Sequence, residues 1–426
     1  MEKKRWAALA GIAVAATATL VAVQATRSSG LDDAGGDTRP VSIAATPTEE
    51  PPRITSVERV TLQRSLNEVI EEGSSGAVAE LIVTGPGGSD TWNGVAGVAD
   101  RTTGAPVDPG AHFRIASLSK PFVAATLLQL VGEGRADLDD TLEDLLPGVV
   151  DGGEEITLRM LLSHTSGLFS YNRDMPAVVD DPDRIWRPEE LVAVANTHGP
   201  VFAPGTDVAY SNTNYVVAAM VIEEITGRPY AEAVTERIIE PLELTGTSIP
   251  AGSAMPEPVM HAYLALSPYA GAEAQPSDIT EFDPSRWYGT AQVVSTVSDI
   301  NRFWQALLGG EVLEAPMLDE MLSVQATSDD GYGFALGPRS YTLSCGVEVW
   351  THSGNIPGYR NWTVHSEDRH FTLFQARYQA NPDPPAWAAI ETAMCPAAAD
   401  APEEPAPTPT DFPSEDVTDT GRGADG

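Results

Sequence analysis

Apolar residues Val57, Val60, Leu66, Val69 and Ile70 recur at helical spacing, which predicts an amphipathic helix over residues 55–72. The runs Ala77–Thr84 and Trp92–Val98, divided by Gly-Pro-Gly-Gly, predict a β-hairpin. From Ser117 to about Trp287 the chain reads as helices and loops. Strand signals return at Gly331–Leu336, Val347–Thr351, Arg360–His365 and Phe371–Tyr378, and a last helix is predicted over Pro385–Met394. Strands at both ends with helices between them predict an α/β (α+β) fold, with one sheet built from distant segments. No internal repeat is visible.

The two ends break this pattern. Lys3, Lys4 and Arg5 precede an apolar run from Trp6 to Val23, and Val23-Gln24-Ala25 offers a cleavage site, so residues 1–25 read as an export signal. An uncleaved anchor is the competing reading, and membrane contact is expected only in that case. Residues 26–52 read as a disordered linker and residues 396–426 as a disordered, acidic, Pro-rich tail. The folded part is then 53–395, and the expected location is extracytoplasmic.

The 426 residues carry a formal net charge of −36, which makes nucleic acid a poor partner. With two cysteines and seven histidines at no metal-binding spacing, no metal centre is predicted.

Candidate chemistry begins at a lysine. Against 22 arginines the chain has three lysines, and signal removal would leave only Lys120. Lysine, unlike arginine, can lose its proton when desolvated. Lys120 lies three residues after Ser117, in Phe-Arg-Ile-Ala-Ser-Leu-Ser-Lys, ahead of the apolar run Phe122–Val131. If Ser117 starts that helix, the two share a face, with Pro121 harmless in the first turn. The amine can then take the hydroxyl proton, and the Ser117 N–H can help hold an oxyanion.

A second cluster is Tyr210-Ser211-Asn212-Thr213-Asn214-Tyr215. It reads either as turn chemistry, with Asn212 or Asn214 capping a helix, or as a site in which Tyr210 moves protons beside a cation and Asn212 meets a substrate amide. A third, Trp350-Thr351-His352-Ser353-Gly354-Asn355, ends a predicted strand. Gly354 allows close backbone approach there, and the Asn355 N–H is a second candidate oxyanion donor.

In this order Ser-Leu-Ser-Lys, Tyr-Ser-Asn and His-Ser-Gly resemble the three catalytic motifs of the serine penicillin-recognising enzymes. The resemblance spans roughly residues 55–395 and is nearest to class C β-lactamases and secreted D-alanyl-D-alanine carboxypeptidases. Leu161–Leu168, Tyr210–Gly227 and Gly331-Tyr332-Gly333 also look like that branch. It implies a β-lactamase/transpeptidase-like fold, an antiparallel sheet flanked by helices, with an inserted helical domain at about 130–287. It also implies that Ser117 is acylated, that Lys120 and Tyr210 manage its proton, and that Asn212 and Ser353 contact substrate. His352 stands where β-lactamases usually carry lysine, the form seen in the carboxypeptidases, which implies a catalytic role, although a hydrogen-bonded strand-end histidine is an equal reading.

Arg339 matches an arginine that the similar carboxypeptidases use for a terminal carboxylate, although a solvated hairpin arginine is an equal reading. Trp287 looks like the aromatic wall of the site or a core tryptophan. Cys345 and Cys395, an isolated pair in an exported chain, are expected to form a disulfide, as in the similar carboxypeptidases. His164 is read as structural, and His365 and His370, flanking a Ser-Glu-Asp-Arg turn, as solvated.

The expected protein is therefore an exported serine D-alanyl-D-alanine carboxypeptidase, a monomer without metal or organic cofactor. Its partners are peptidoglycan stem peptides or β-lactams. The rivals are a class C-type β-lactamase, a penicillin-binding-like carboxylesterase, and a penicillin-binding sensor without turnover.

Overall fold

The computed structural model describes residues 52–264, 276–377 and 384–395. The predicted signal, the tail and all of the linker but Pro52 lie outside them, as does Tyr378.

The first helix, α1 (Ser56–Glu71), starts at a capping box in which Thr55 and Glu58 bond each other's backbone N–H groups. The hairpin follows as β1 (Ser74–Gly85) and β2 (Gly88–Asp100), extended by the short β3 (Ala105–Pro106). A long, mainly helical insertion carries α2 (Lys120–Gly132), α3 (Asn212–Thr226) and α4 (Val297–Leu308). The chain then returns through β4 (Ala326–Thr327), β5 (Gly333–Phe334), β6 (Arg339–Thr342), β7 (Glu348–Ile356), β8 (Tyr359–His365) and β9 (Arg369–Arg377). It closes with α5 (Pro384–Met394).

These nine strands form one antiparallel sheet in the order β3-β2-β1-β9-β8-β7-β6-β5-β4, and two short two-stranded ribbons lie outside it among the described residues. First and last segments therefore pair at its centre, with Val78 opposite Phe374. Alternation sorts side chains between two apolar layers. Ala77, Ala79, Leu81, Trp362, Val364, Phe371 and Leu373 pack with α1 and α5, whereas Val78, Ile356, Tyr359 and Phe374 pack with α2, α3 and α4.

Three sequence expectations shift. Val57 and Val60 are exposed, and the buried stripe of α1 runs through Glu58, Leu62, Ser65, Leu66 and Val69. Glu58 pairs with the buried Arg369 at 2.8 Å, so the helix is turned to bring this carboxylate inward. The strand predicted over Gly331–Leu336 is only two residues long, because Leu336 N–H bonds Met321 and Gly337, at φ 113°, turns the chain. The strand predicted to end at Thr351 runs on to Ile356.

His365 and His370 are not solvated but buried. They are cross-strand partners at the β8–β9 turn, with Nδ1 atoms 3.2 Å apart, and Trp304 of α4 stacks on His365 at 4.7 Å. Cys345 and Cys395 are disulfide-bonded, tying the β6–β7 turn to the end of α5.

Candidate active site

The sequence Phe113-Arg114-Ile115-Ala116-Ser117 delivers a serine to the start of α2 through a tight turn. Ala116 adopts φ 54°, sparsely populated for a residue with a side chain, and a 3-10 turn over Ala116–Ser119 runs into the helix. Neighbours over-determine this shape. Ser119 Oγ donates to the Ala116 carbonyl at 2.7 Å and accepts from Val293 N–H at 3.1 Å. Ile115 N–H bonds the Val293 carbonyl, and Asn361 Nδ2 bonds that of Arg114. The second serine of Ser-Leu-Ser-Lys thus braces the turn.

Lys120 is fully buried, and its Nζ donates to Ser117 Oγ at 2.8 Å and to the Thr290 carbonyl at 3.2 Å. The i, i+3 relationship read from sequence is the actual contact. Thr290 was not foreseen, and nothing in its residue type marks it, since only its backbone is used.

Tyr210 lies across from this pair, 90 positions along the chain from Lys120, its ring centroid 4.8 Å from Lys120 Nζ. The loop that carries it is pinned by His164. The His164 carbonyl accepts Ala209 N–H, and its Nδ1 accepts from Ser211 N–H at 3.1 Å and from Asn214 Nδ2 at 3.2 Å. An accepting Nδ1 leaves the proton of the neutral ring on Nε2. Burial, followed by the Arg339 and Lys120 charges, holds this imidazole well below the usual histidine range.

Neither Asn212 nor Asn214 caps α3 through its side chain. Asn212 N–H bonds Ser170 Oγ at 2.9 Å, and its Nδ2 bonds Asn172 Oδ1 at 3.0 Å, so residues 170 and 172 orient it.

The third motif forms the other wall. The ladder between β6 and β7 ends at Arg339 opposite Thr351, so from His352 to Ile356 one edge of β7 has no strand beside it among the described residues. That edge meets the serine turn. A Cβ on Gly354 would run into the Ile115 carbonyl and come within 3.0 Å of both Ala116 and Leu118. Asn355 is therefore one residue from the point of closest approach, and the half-buried Ser353 is on the other side of it.

His352 is buried, and its Nδ1 lies 2.6 Å from the Ser353 carbonyl, so Nδ1 carries the proton and Nε2 the lone pair. Burial, then Arg339 and Lys120, keep it neutral, its pKa well below the usual range. Arg339 is buried among rings, its guanidinium 4.6 Å from the Tyr210 centroid and 5.0 Å from that of Phe334. It is not a solvated hairpin arginine. Trp287 is half-buried, packed on Phe282 and Arg286. Its carbonyl accepts the N–H groups of Thr290 and Ala291, so it shapes the turn that holds Lys120.

A hydroxyl bonded to a buried amine, beside a tyrosine and an open strand edge, is the arrangement of an activated serine nucleophile. Residues 66–387 match the family described as Beta-lactamase. The chain belongs to this beta-lactamase family. It is similar to penicillin-binding protein 4* of Bacillus subtilis (strain 168), 29% identical over 307 residues that cover 68% of this chain and 66% of that one. It is also similar to a D-aminopeptidase of Brucella anthropi, 28% identical over 305 residues, covering 70% of this chain and 54% of that one.

Among solved structures, a D-stereospecific amidohydrolase from Streptomyces sp. is similar at 38% identity and a TM-score of 0.71, covering 80% of this chain and 99% of that one. The antiparallel sheet flanked by helices is thus the β-lactamase/transpeptidase fold, and the chain is a hydrolase of the serine β-lactamase-like superfamily.

Proposed function

We propose that this protein hydrolyses amide bonds at D-configured amino acid residues through an acyl-enzyme on Ser117, and that D-alanyl-D-alanine-ended peptides are its substrates. The observation that carries the reading is the 2.8 Å bond between Lys120 Nζ and Ser117 Oγ.

Ser117 Oγ attacks the carbonyl carbon while its proton passes to Lys120 or Tyr210, and the C–O bond forms. The oxyanion lies between the N–H groups of Ser117 and Asn355. The proton goes on to the leaving amine as the C–N bond breaks, and D-alanine departs. Water then clears the ester by the same steps in reverse. The cation Arg339, opposite Thr351 of β7, makes this side favourable to a substrate carboxylate. We place this activity outside the cytoplasm, on the export signal read at residues 1–25.

A second reading, removal of the amide or the following residue from a D-amino acid with a free amine, is favoured by the names of the Streptomyces and Brucella relatives. Intact mass after brief incubation with benzylpenicillin tests the nucleophile: wild type gains the adduct and Ser117→Ala does not. An adduct on Ser117→Ala, or activity retained by it, overturns the acyl-enzyme. Release of D-alanine from N-acetyl-D-alanyl-D-alanine, set against ammonia from D-alanine amide, then separates the two substrate readings.

A further inference from the structure

The β6 arginine sits where a substrate anchor is not alone in needing it. Arg339 is 3% exposed, and its guanidinium carbon lies 4.6 Å from the Tyr210 ring centroid, with Phe334 at 5.0 Å and Tyr332 at 6.0 Å. Lys120 Nζ, from α2, is 4.8 Å from the same Tyr210 centroid. A guanidinium and an amine on separate elements therefore bear on one phenol. Among the described residues, His164 at 4.4 Å and His352 at 6.3 Å are further titratable groups against that ring.

We propose that Arg339 is a positioning residue for Tyr210, a buried second cation that orients the ring and favours its deprotonated form while the Ser117 proton is in transit. This rests on the acyl-enzyme reading above. The two ring contacts give the physical basis. A guanidinium over an aromatic face is attracted by the ring, and the attraction grows when the phenol becomes phenolate and the site is dry. Lys120 alone would have to serve both as acceptor of the serine proton and as the countercharge of Tyr210. Once it takes the proton, or gives it up, the field at Tyr210 changes. Arg339 keeps its charge at every step, because guanidinium does not deprotonate in this range. A constant positive field lets Tyr210 pass a proton without being left as an unpaired buried anion.

The backbone supports the assignment. Arg339 is held on both sides, opposite Phe334 of β5 and Thr351 of β7, one residue before His352. Its place is set by the sheet, and a residue so fixed is pre-organised toward Tyr210 before any substrate arrives.

The test uses a substrate with no carboxylate, p-nitrophenyl acetate, beside N-acetyl-D-alanyl-D-alanine. Arg339→Met removes the charge and Arg339→Lys restores one. For Arg339→Met the expected result is a kcat on the neutral ester lower by about tenfold or more, with KM within about threefold. The ascending limb of its pH profile should move up by about one to two units, because loss of a cation raises the pKa of the phenol. Arg339→Lys should recover part of both.

A kcat on the ester within about twofold of wild type, with an unmoved limb and only the peptide KM raised, would show that Arg339 serves the substrate carboxylate alone and overturns the proposal. Misfolding would lower the melting temperature and the burst amplitude without moving the limb, and that result also counts against it. Ester turnover retained by Ser117→Ala would instead overturn the underlying acyl-enzyme reading.

Discussion

The ring of His164 lies on the ring of Tyr210, with 4.4 Å between centroids and 33° between planes. The same histidine takes the N–H of Ala209 on its carbonyl and the N–H of Ser211 on Nδ1, so it grips the residue on either side of the tyrosine. His164 itself adopts φ 59°, and that backbone shape turns ring and carbonyl toward the same loop. Its hydrogen bonds to Ala209, Ser211 and Asn214 and its ring contact with Tyr210 bear on the serine through Tyr210.

His164→Phe keeps the stacked ring and deletes the acceptor. Ser211 N–H and Asn214 Nδ2 lose their partner, and the Tyr210 loop gains freedom. Displacement of about 1 Å in a catalytic group can cost on the order of a hundredfold, so kcat on a D-alanyl peptide should fall by about ten- to a hundredfold. KM should stay nearly unchanged, because the Asn212 contacts to Ser170 and Asn172 are independent of His164. Steady-state kinetics checks this, and a variant with wild-type kcat would remove His164 from the positioning role.

Buried histidines give a stability profile of definite sign. His164, His352, His365 and His370 are all buried, and burial pushes each imidazole down, the first three well below the usual range and His370 to about 4. In the unfolded chain the same groups bind protons near pH 6.5. Their contribution is therefore complete above about pH 6.5 and is lost as pH falls toward the folded values. Each can remove up to about 1.4 kcal/mol per pH unit in that window. Carboxylates pulled down by partners, such as Glu58 and Asp100, add to the loss only below about pH 4. Urea unfolding should show a clearly lower midpoint at pH 5 than at pH 7.5, and equal midpoints would sink the argument.

The Cys345–Cys395 bridge closes a loop of 50 residues. It joins the turn before β7 to the end of α5, a connection reinforced by Ser344 Oγ donating to Glu391 at 2.6 Å. Constraint of the unfolded chain gives about 2–4 kcal/mol. Reduction, or the pair Cys345→Ser and Cys395→Ser, should lower the melting temperature by several degrees, about 2–4 °C per kcal/mol at this size. The bridge lies at the start of β7 and the serine turn packs near its end, so benzylpenicillin acylation at 20 °C should keep its rate. Calorimetry and intact mass read the two effects separately.

Local relationships were legible in the chain and distant ones were not. Ser117 and Lys120 meet because one helical turn brings them together, and spacing alone reveals that. The meeting of Tyr210 with Lys120 across 90 positions followed only from the resemblance, since no periodicity encodes which loop faces which helix. Misreadings had the same origin. Val57 and Val60 have helical spacing, yet the partner of Glu58 is Arg369, 311 residues away, and it sets the rotation of α1. His365 and His370 flank polar turn residues, but alternation along β8 and β9 turns them under Trp304. Thr290 contributes a carbonyl, which every residue possesses, so no side-chain pattern announces it.

Gly354 gives the sharpest test of how the two walls of the site are held together. It lies between Ser353 and Asn355 on the edge of β7 beyond the β6 ladder, and a Cβ there would overlap the Ile115 carbonyl while touching Ala116 and Leu118. Those atoms are backbone or core side chains pinned by Val293 and Asn361, so they have little room to yield. Gly354→Ala must therefore move β7 outward. The Ser117–Lys120 bond lies within one turn and should persist, leaving a serine that is still activated. What separates is the Ser117 N–H from the Asn355 N–H, the two donors assigned to the oxyanion. Loss of one such donor costs about a hundred- to a thousandfold in kcat. Gly354→Ala should then acylate with benzylpenicillin slower by that order, with the adduct still on Ser117 by peptide mass mapping. Wild-type acylation by Gly354→Ala would mean that contact between β7 and the serine turn does not set the oxyanion geometry.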